Sequence, residues 1–119
     1  MLNRRNRIGD SDKIEKLARA GNVFKSDFLL FRYAKTGLVA GDPSEFAVNV
    51  SKRIDKRAVV RNRLRRQINE ALRLNLSLLP DGYRVLVSAR TSAAERAPKF
   101  QELKKAVIAF FNTLRIHAK

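Results

Sequence analysis

The sequence predicts an α+β domain, a small sheet packed with helices in the order α-β-β-α-β-α, spanning residues 1–119 as a single domain. Three observations predict it. Two segments, FAVNVSK from Phe46 and YRVLVSAR from Tyr83, alternate their side chains with the period of two of a half-buried strand. Two longer segments repeat apolar residues every three or four positions, the spacing of one helix face. A chain of 119 residues has room for one core of ordinary size, and 45% apolar residues suffice to fill it.

DKIEKLARA, residues 12–20, places Ile14, Leu17 and Ala18 on one side of a short helix that Gly21 stops. VFKSDFLLFRYAK follows as a strand-like aromatic and apolar run over residues 24–34. TGLVAGDPSE, with two glycines and a proline, reads as a connecting loop. In the next strand Phe46, Val48 and Val50 share a face. Residues 58–78 carry the strongest helical pattern. Stepping about 100° per residue from Leu64, Val60, Ile68 and Ala71 fall in one sector, with Leu72 at its border. Asn62, Arg66, Asn69 and Arg73 collect opposite that stripe, while Arg61 and Arg65 flank it on one side and Arg63 on the other. Pro80-Asp81-Gly82 makes a turn, and Tyr83, Val85 and Val87 then share a strand face. A closing helix begins near Pro98 and presents Phe100, Leu103, Val107, Phe110, Phe111 and Leu114 as a core stripe.

Charge is the unusual feature. There are 26 Lys and Arg against 11 Asp and Glu, a formal net charge of +15. Such a molecule repels itself, and a polyanionic partner relieves the repulsion. Nucleic acid fits that role ahead of an anionic membrane. The chain has no cysteine, hence no disulfide, thiolate metal site or cysteine nucleophile. No apolar run follows the basic opening MLNRRNRIGD, so a secretory signal is not expected. No stretch approaches the roughly 18 apolar residues of a membrane span. The expected location is the cytoplasm. The one histidine, His117, is a poor basis for general acid–base catalysis, which usually needs two groups titrating near neutrality. Asp10 and Asp12, Asp42 and Glu45, and Glu95 and Glu102 show no metal-ligand or acid–base spacing. Neither a catalytic residue nor a metal site is expected in this chain.

The positive charge is concentrated. Lys52, Arg53, Lys56, Arg57, Arg61, Arg63, Arg65, Arg66 and Arg73 face only Asp55 and Glu70 between residues 52 and 73. A solvated helix face ordinarily mixes signs. Arginine dominates here, and its planar fork of donors suits phosphate oxygens and also stacks on bases. The cluster straddles a strand end, a loop and a helix start, where free backbone N–H groups add further affinity for phosphate. Asn62, between two arginines, brings an amide that both donates and accepts. These features mark a docking site for RNA or DNA, and composition leaves the choice open.

VSKRIDKRAVVRNRLRRQINEALR closely resembles the signature of the protein subunit of bacterial ribonuclease P, the RNR motif. The match runs through Val50-Ser51-Lys52-Arg53, Arg57-Ala58, Arg61-Asn62-Arg63, Arg65-Arg66 and Glu70-Ala71. The basic NRRNRI opening, the short helix, GNVFKSDFLLF, and VLVSAR before an amphipathic helix extend the likeness along nearly the whole chain. IDKR stands where many relatives carry a glycine-containing turn.

The resemblance implies a fold and a function. The strand–helix–strand crossover through the basic helix would be left-handed, against the usual rule. The protein would serve as an accessory subunit of an endoribonuclease, a hydrolase whose catalyst is the RNA, cleaving the 5′ leader from precursor tRNA with magnesium bound mainly by that RNA. Its partners would be ribonuclease P RNA, one protein with one RNA, and precursor tRNA, with no membrane involved. Lys52, Arg53, Lys56, Arg57, Arg61, Asn62, Arg63, Arg65 and Arg66 would contact RNA through phosphate neutralisation. The leader would lie in a cleft between the first helix and the sheet, at Ile14, Ala18 and Phe31. Relatives usually line that cleft with aromatic residues; Ile14 and Ala18 depart from this, which implies either weaker stacking or stacking shared with Phe24 or Tyr33. Phe28, Phe31 and Phe46 read equally well as core. A ribosomal or other structural RNA-binding protein is the alternative, and a stand-alone nuclease is disfavoured by the empty carboxylate and histidine pattern.

Overall fold

The computed structural model describes residues 8, 11–35, 44–78, 82–90, 93 and 98–117. Its elements are α1 (Ser11–Ala20), β1 (Asn22–Lys25), β2 (Leu29–Lys35), β3 (Glu45–Asn49), α2 (Ala58–Leu74), a 3-10 turn (Leu76–Leu78), β4 (Tyr83–Ala89) and α3 (Phe100–His117). The α+β class is as predicted. The element order gains a strand, because the run over 24–34 is a hairpin of β1 and β2. Ser26 and Asp27 break it: the Ser26 amide donates to the Leu29 carbonyl at 2.9 Å, and Ser26 Oγ accepts from the Leu29 amide at 3.2 Å. Short polar side chains compete in this way with a continuous ladder. The predicted loop segment 36–43, Pro80, Asp81 and the basic NRRNRI opening up to Arg7 lie outside the described residues.

The sheet order is β1-β2-β4-β3, with β3 and β4 parallel and the other pairs antiparallel. A parallel neighbour requires a crossover, and α2 supplies it. Register decides the faces. Phe24 pairs with Phe31, Phe31 with Val87 and Val87 with Val48; Tyr33 pairs with Val85, and Val85 with Phe46. These side chains therefore share one face, which α2 and α3 cover. Leu64, Ile68, Ala71 and Leu72 of α2 meet Leu103, Val107, Phe110, Phe111 and Leu114 of α3 over it in one core. The Phe31 and Phe110 rings stack at its centre, 4.3 Å apart and 15° from parallel.

The closing helix starts at Phe100, two residues after Pro98. The Glu102 carboxylate accepts from the Lys99 amide at 3.0 Å and so satisfies one of the donors that a helix start leaves over. α2 ends at Asn75, whose Nδ2 donates to the Ala71 carbonyl at 2.8 Å.

The opposite face carries Val23, Arg32, Leu86 and Ala47 in one row and Lys25, Leu30, Ser88 and Asn49 in the next. Among the described residues α1 packs there through Leu17, which joins Ile8 and Leu86 in a small second cluster edged by Ile14, Ala34 and Ala47. Gly21 lets α1 come this close to β2: a Cβ would lie 2.7 Å from the Leu17 carbonyl oxygen and 3.3 Å from the Tyr33 nitrogen. No helix among the described residues is long and apolar enough to cross a membrane.

Candidate nucleic-acid interface

β3 leads into the basic segment. Val50 and Ile54 are buried and pin the loop to the core, so Lys52, Arg53 and Lys56 between and beside them are exposed. The Ile54 amide closes a turn on the Ser51 carbonyl at 3.0 Å. Asp55 then organises the entry to α2. Its Oδ1 accepts from the Arg57 amide at 2.8 Å, and its two oxygens take Arg57 Nε at 3.1 Å and NH2 at 3.0 Å. The hydrogen bond from the Arg57 side chain is the main cause that lowers the Asp55 carboxyl to about 2. Arg57 caps α2 by position, with no side-chain cap bond, and the first turn of α2 contains no acidic residue. The Asp55 carboxylate, just before the helix, is the acidic group that meets its positive end.

The arginines divide by task. Arg61 is half-buried, and its NH1 donates to the Asp55 carbonyl at 3.1 Å and the Lys56 carbonyl at 2.8 Å. It holds the loop against the helix. Arg65 NH1 donates to Asn62 Oδ1 at 3.0 Å, which fixes the amide so that its NH2 points away from that contact. Arg63 and Arg66 are exposed, and no acceptor meets them among the described residues, nor Lys52, Arg53 or Lys56. Arg73, by contrast, pairs with Glu70, whose carboxyl the Arg73 hydrogen bond holds below its ordinary range. A concavity of about 650 Å³ beside these arginines is lined by Arg63, Arg65, Arg66, Phe100, the amides Asn62, Gln67 and Asn69, and the acidic Glu70. Of the nine predicted residues, eight are exposed along the loop and α2, and Arg61 is half-buried beside them.

The predicted leader cleft assembles in part. Ile14 and Ala18, one helical turn apart, lie on one flank of α1 beside the open sheet face, Ile14 half-buried and Ala18 exposed. Phe31 does not join them. It is 0% exposed, sits on the helix-covered face and stacks on Phe110, so it belongs to the core. Phe24 and Tyr33 cannot substitute, since both also pack on Phe110. The open face carries Leu30, Arg32, Ser88 and Asn49 among others, and none of its described side chains is aromatic. Alternation along β2 from Leu29 places Leu30 and Arg32 there, and strand pairing adds Ser88 and Asn49. The apolar FLLF run hides that period because both faces of it are apolar.

Among the described residues no three His, Cys, Asp or Glu side chains gather as metal ligands would. The side chain of His117 lies outside the described residues.

A family model of ribonuclease P matches residues 2–115. A ribonuclease P protein component from Rippkaea orientalis is 33% identical over 109 residues, covering 87% of this chain and 84% of the relative. The one from Clostridium acetobutylicum is 31% identical over 107 residues, covering 90% and 87%. Among solved structures, the RNase P protein from Thermotoga maritima superposes with a TM-score of 0.79 at 20% identity, over 92% of this chain and 97% of that one. The RNase P protein from Staphylococcus aureus gives 0.73 at 18%, over 96% and 95%. At such identities the two structures speak for the fold, and the two relatives and the family match for the family.

Proposed function

This chain belongs to the ribonuclease P protein family, and on that premise we propose that it binds the catalytic RNA of a ribonuclease P ribonucleoprotein and the 5′ leader of precursor tRNA. It assists magnesium-dependent endonucleolytic removal of the leader, acting in the cytoplasm as one protein with one RNA. The observation that carries this reading is the set of guanidinium and ammonium groups at Lys52, Arg53, Lys56, Arg63 and Arg66. They are exposed, of one sign, and unmatched by acceptors among the described residues. Arg57, Arg61, Asn62 and Arg65 complete the surface, holding its loop and helix start in shape. Each phosphate neutralised releases condensed counterions, which gives affinity and makes it salt-dependent.

Catalysis rests with the RNA in this reading. Magnesium, the Lewis acid of the hydrolysis, needs hard oxygen ligands. The basic surface repels a cation and offers no gathered carboxylates among the described residues. RNA phosphates held against Arg63 and Arg66 are the better ligands, and the protein's part is to lower the repulsion between them. The leader runs along the open face beside Ile14 and Ala18. With no aromatic ring there, Arg32 is the side chain able to stack on bases, and Leu30 and Ile14 supply apolar contact.

Binding of ribonuclease P RNA as a function of salt tests the RNA-binding claim. Replacing both Arg63 and Arg66 by Ala is expected to flatten the plot of log K against log salt by about 0.7 to 0.9 for each phosphate that is no longer neutralised. A slope identical to that of the unmodified protein removes these residues from the interface.

A further inference from the structure

The concavity beside α2 offers more than charge. On the side of α3 its walls are Arg63, Arg66, Gln67 and Glu70, with Phe100, the first residue of α3. Positions 63, 66, 67 and 70 follow the i, i+3, i+4, i+7 spacing of one helix flank, so their side chains share one strip of α2. Arg63 and Arg66 are exposed, whereas Gln67, Glu70 and Phe100 are half-buried. The cations thus stand outermost, with an amide, a carboxylate and a ring deeper in. A volume of about 650 Å³ is of the size that takes a small ligand group.

The deeper groups suit a base better than a phosphate. Phe100 packs on the edge of the core and lends the concavity its one aromatic surface. The Gln67 side-chain amide, a donor and an acceptor together, has no hydrogen-bond partner among the described residues. The Glu70 carboxylate pairs with Arg73 and can only accept. It repels a phosphate inside the concavity and attracts a neutral group that carries N–H donors. An exocyclic amino group on a nucleobase is such a donor, and a carboxylate accepting from the cytosine amino group is a known pairing. Uracil would instead turn a carbonyl oxygen toward the carboxylate. Bases outside a helical stack are recognised in this way, by an aromatic face and by hydrogen bonds to their edges.

We propose that this concavity receives one unstacked RNA base bearing an exocyclic amino group. The base lies on Phe100, Gln67 and Glu70 read its edge, and Arg63 and Arg66 hold the adjoining phosphate. The proposal rests on the RNA-binding reading above and adds a contact that specifies to contacts that only position.

The test is chemical-shift mapping on the full-length, isotope-labelled protein with three probes of equal length: oligocytidylate, oligouridylate and an abasic ribose-phosphate oligomer. All three are expected to move the Arg63 and Arg66 amides. The Phe100 ring and the Gln67 side-chain amide are expected to move with oligocytidylate and to stay in place with the abasic oligomer. Oligocytidylate should bind about fivefold more tightly than oligouridylate, and Glu70→Gln should bring the two to parity. Phe100→Leu should weaken oligocytidylate about fivefold or more and leave the abasic oligomer unaffected. Unchanged Val85 and Val87 amides establish that each variant is folded. Movement at Arg63 and Arg66 with none at Phe100 and Gln67 overturns the base site and leaves the RNA-binding reading standing. Equal affinity for oligocytidylate and oligouridylate, or a preference that survives Glu70→Gln, also overturns it. No movement anywhere defeats the RNA-binding reading, and the base site with it.

Discussion

Arg61 and Arg63 stand two positions apart on α2 and do different work. Arg61 spends its NH1 on two loop carbonyls, while Arg63 reaches solvent on the other flank. Arg61→Ala is therefore expected to lower unfolding stability by about 1 kcal/mol, and Arg63→Ala to leave it unchanged while weakening RNA binding. Urea unfolding and RNA titration of both variants check this; equal stability losses would contradict it. Asp55 gives a pH signature. Its carboxyl is held at about 2 by Arg57, so the pairing is complete above the ordinary carboxylate range and fades as pH falls through 2. The Asp55 carboxyl resonance should titrate there, with the Arg57 amide following the same curve; a midpoint at the ordinary value of 3.8 would be inconsistent with the bidentate pair. Gly21 is fixed by space, since a methyl group meets the Leu17 and Tyr33 backbones. Gly21→Ala should cost about 1–3 kcal/mol, read by thermal unfolding.

Among the elements, α2 is the most legible in the sequence. Leu64, Ile68 and Ala71, predicted in one sector, are buried, and so is Leu72 at its border. Its arginines fall on the predicted sides because helix angle follows from sequence spacing alone. The hairpin is less legible. Its turn is set by Ser26 bonding to Leu29, three residues on, and a run apolar on both faces gives no period to reveal which side chains are buried. For that reason the sequence does not separate Phe31, a core residue, from Arg32, which faces the open side of the sheet. The two residues separate by experiment. Phe31→Ala should destabilise the fold by about 3–5 kcal/mol. Arg32→Ala should leave stability intact and weaken binding of leader-bearing precursor tRNA about fivefold relative to mature tRNA. Equal weakening for the two RNAs would take Arg32 out of the leader path.

At the scale of the whole molecule, composition announces a polyanionic partner and the RNR-like spacing announces which family. What no linear pattern shows is the partition of the surface. α2 and α3 pack on one sheet face, and among the described residues α1 and Ile8 pack on the other. Lys52 to Arg66 follow the end of β3, and Lys13, Lys35 and Arg84 border one groove near the other end of the sheet although they are far apart in sequence. Such convergence is created by register, which joins Ala34 to Arg84 and Arg84 to Glu45. The charge of +15 is carried by a chain whose described residues gather no metal-ligand cluster. The central claim is that the protein positions RNA that performs the chemistry. Its most direct test is cleavage of precursor tRNA at low magnesium by a bacterial ribonuclease P RNA, with and without this protein. The protein alone should leave the substrate intact, and its addition to the RNA should restore removal of the 5′ leader. Cleavage by the protein alone, or no stimulation of the RNA at any magnesium concentration, would contradict the claim.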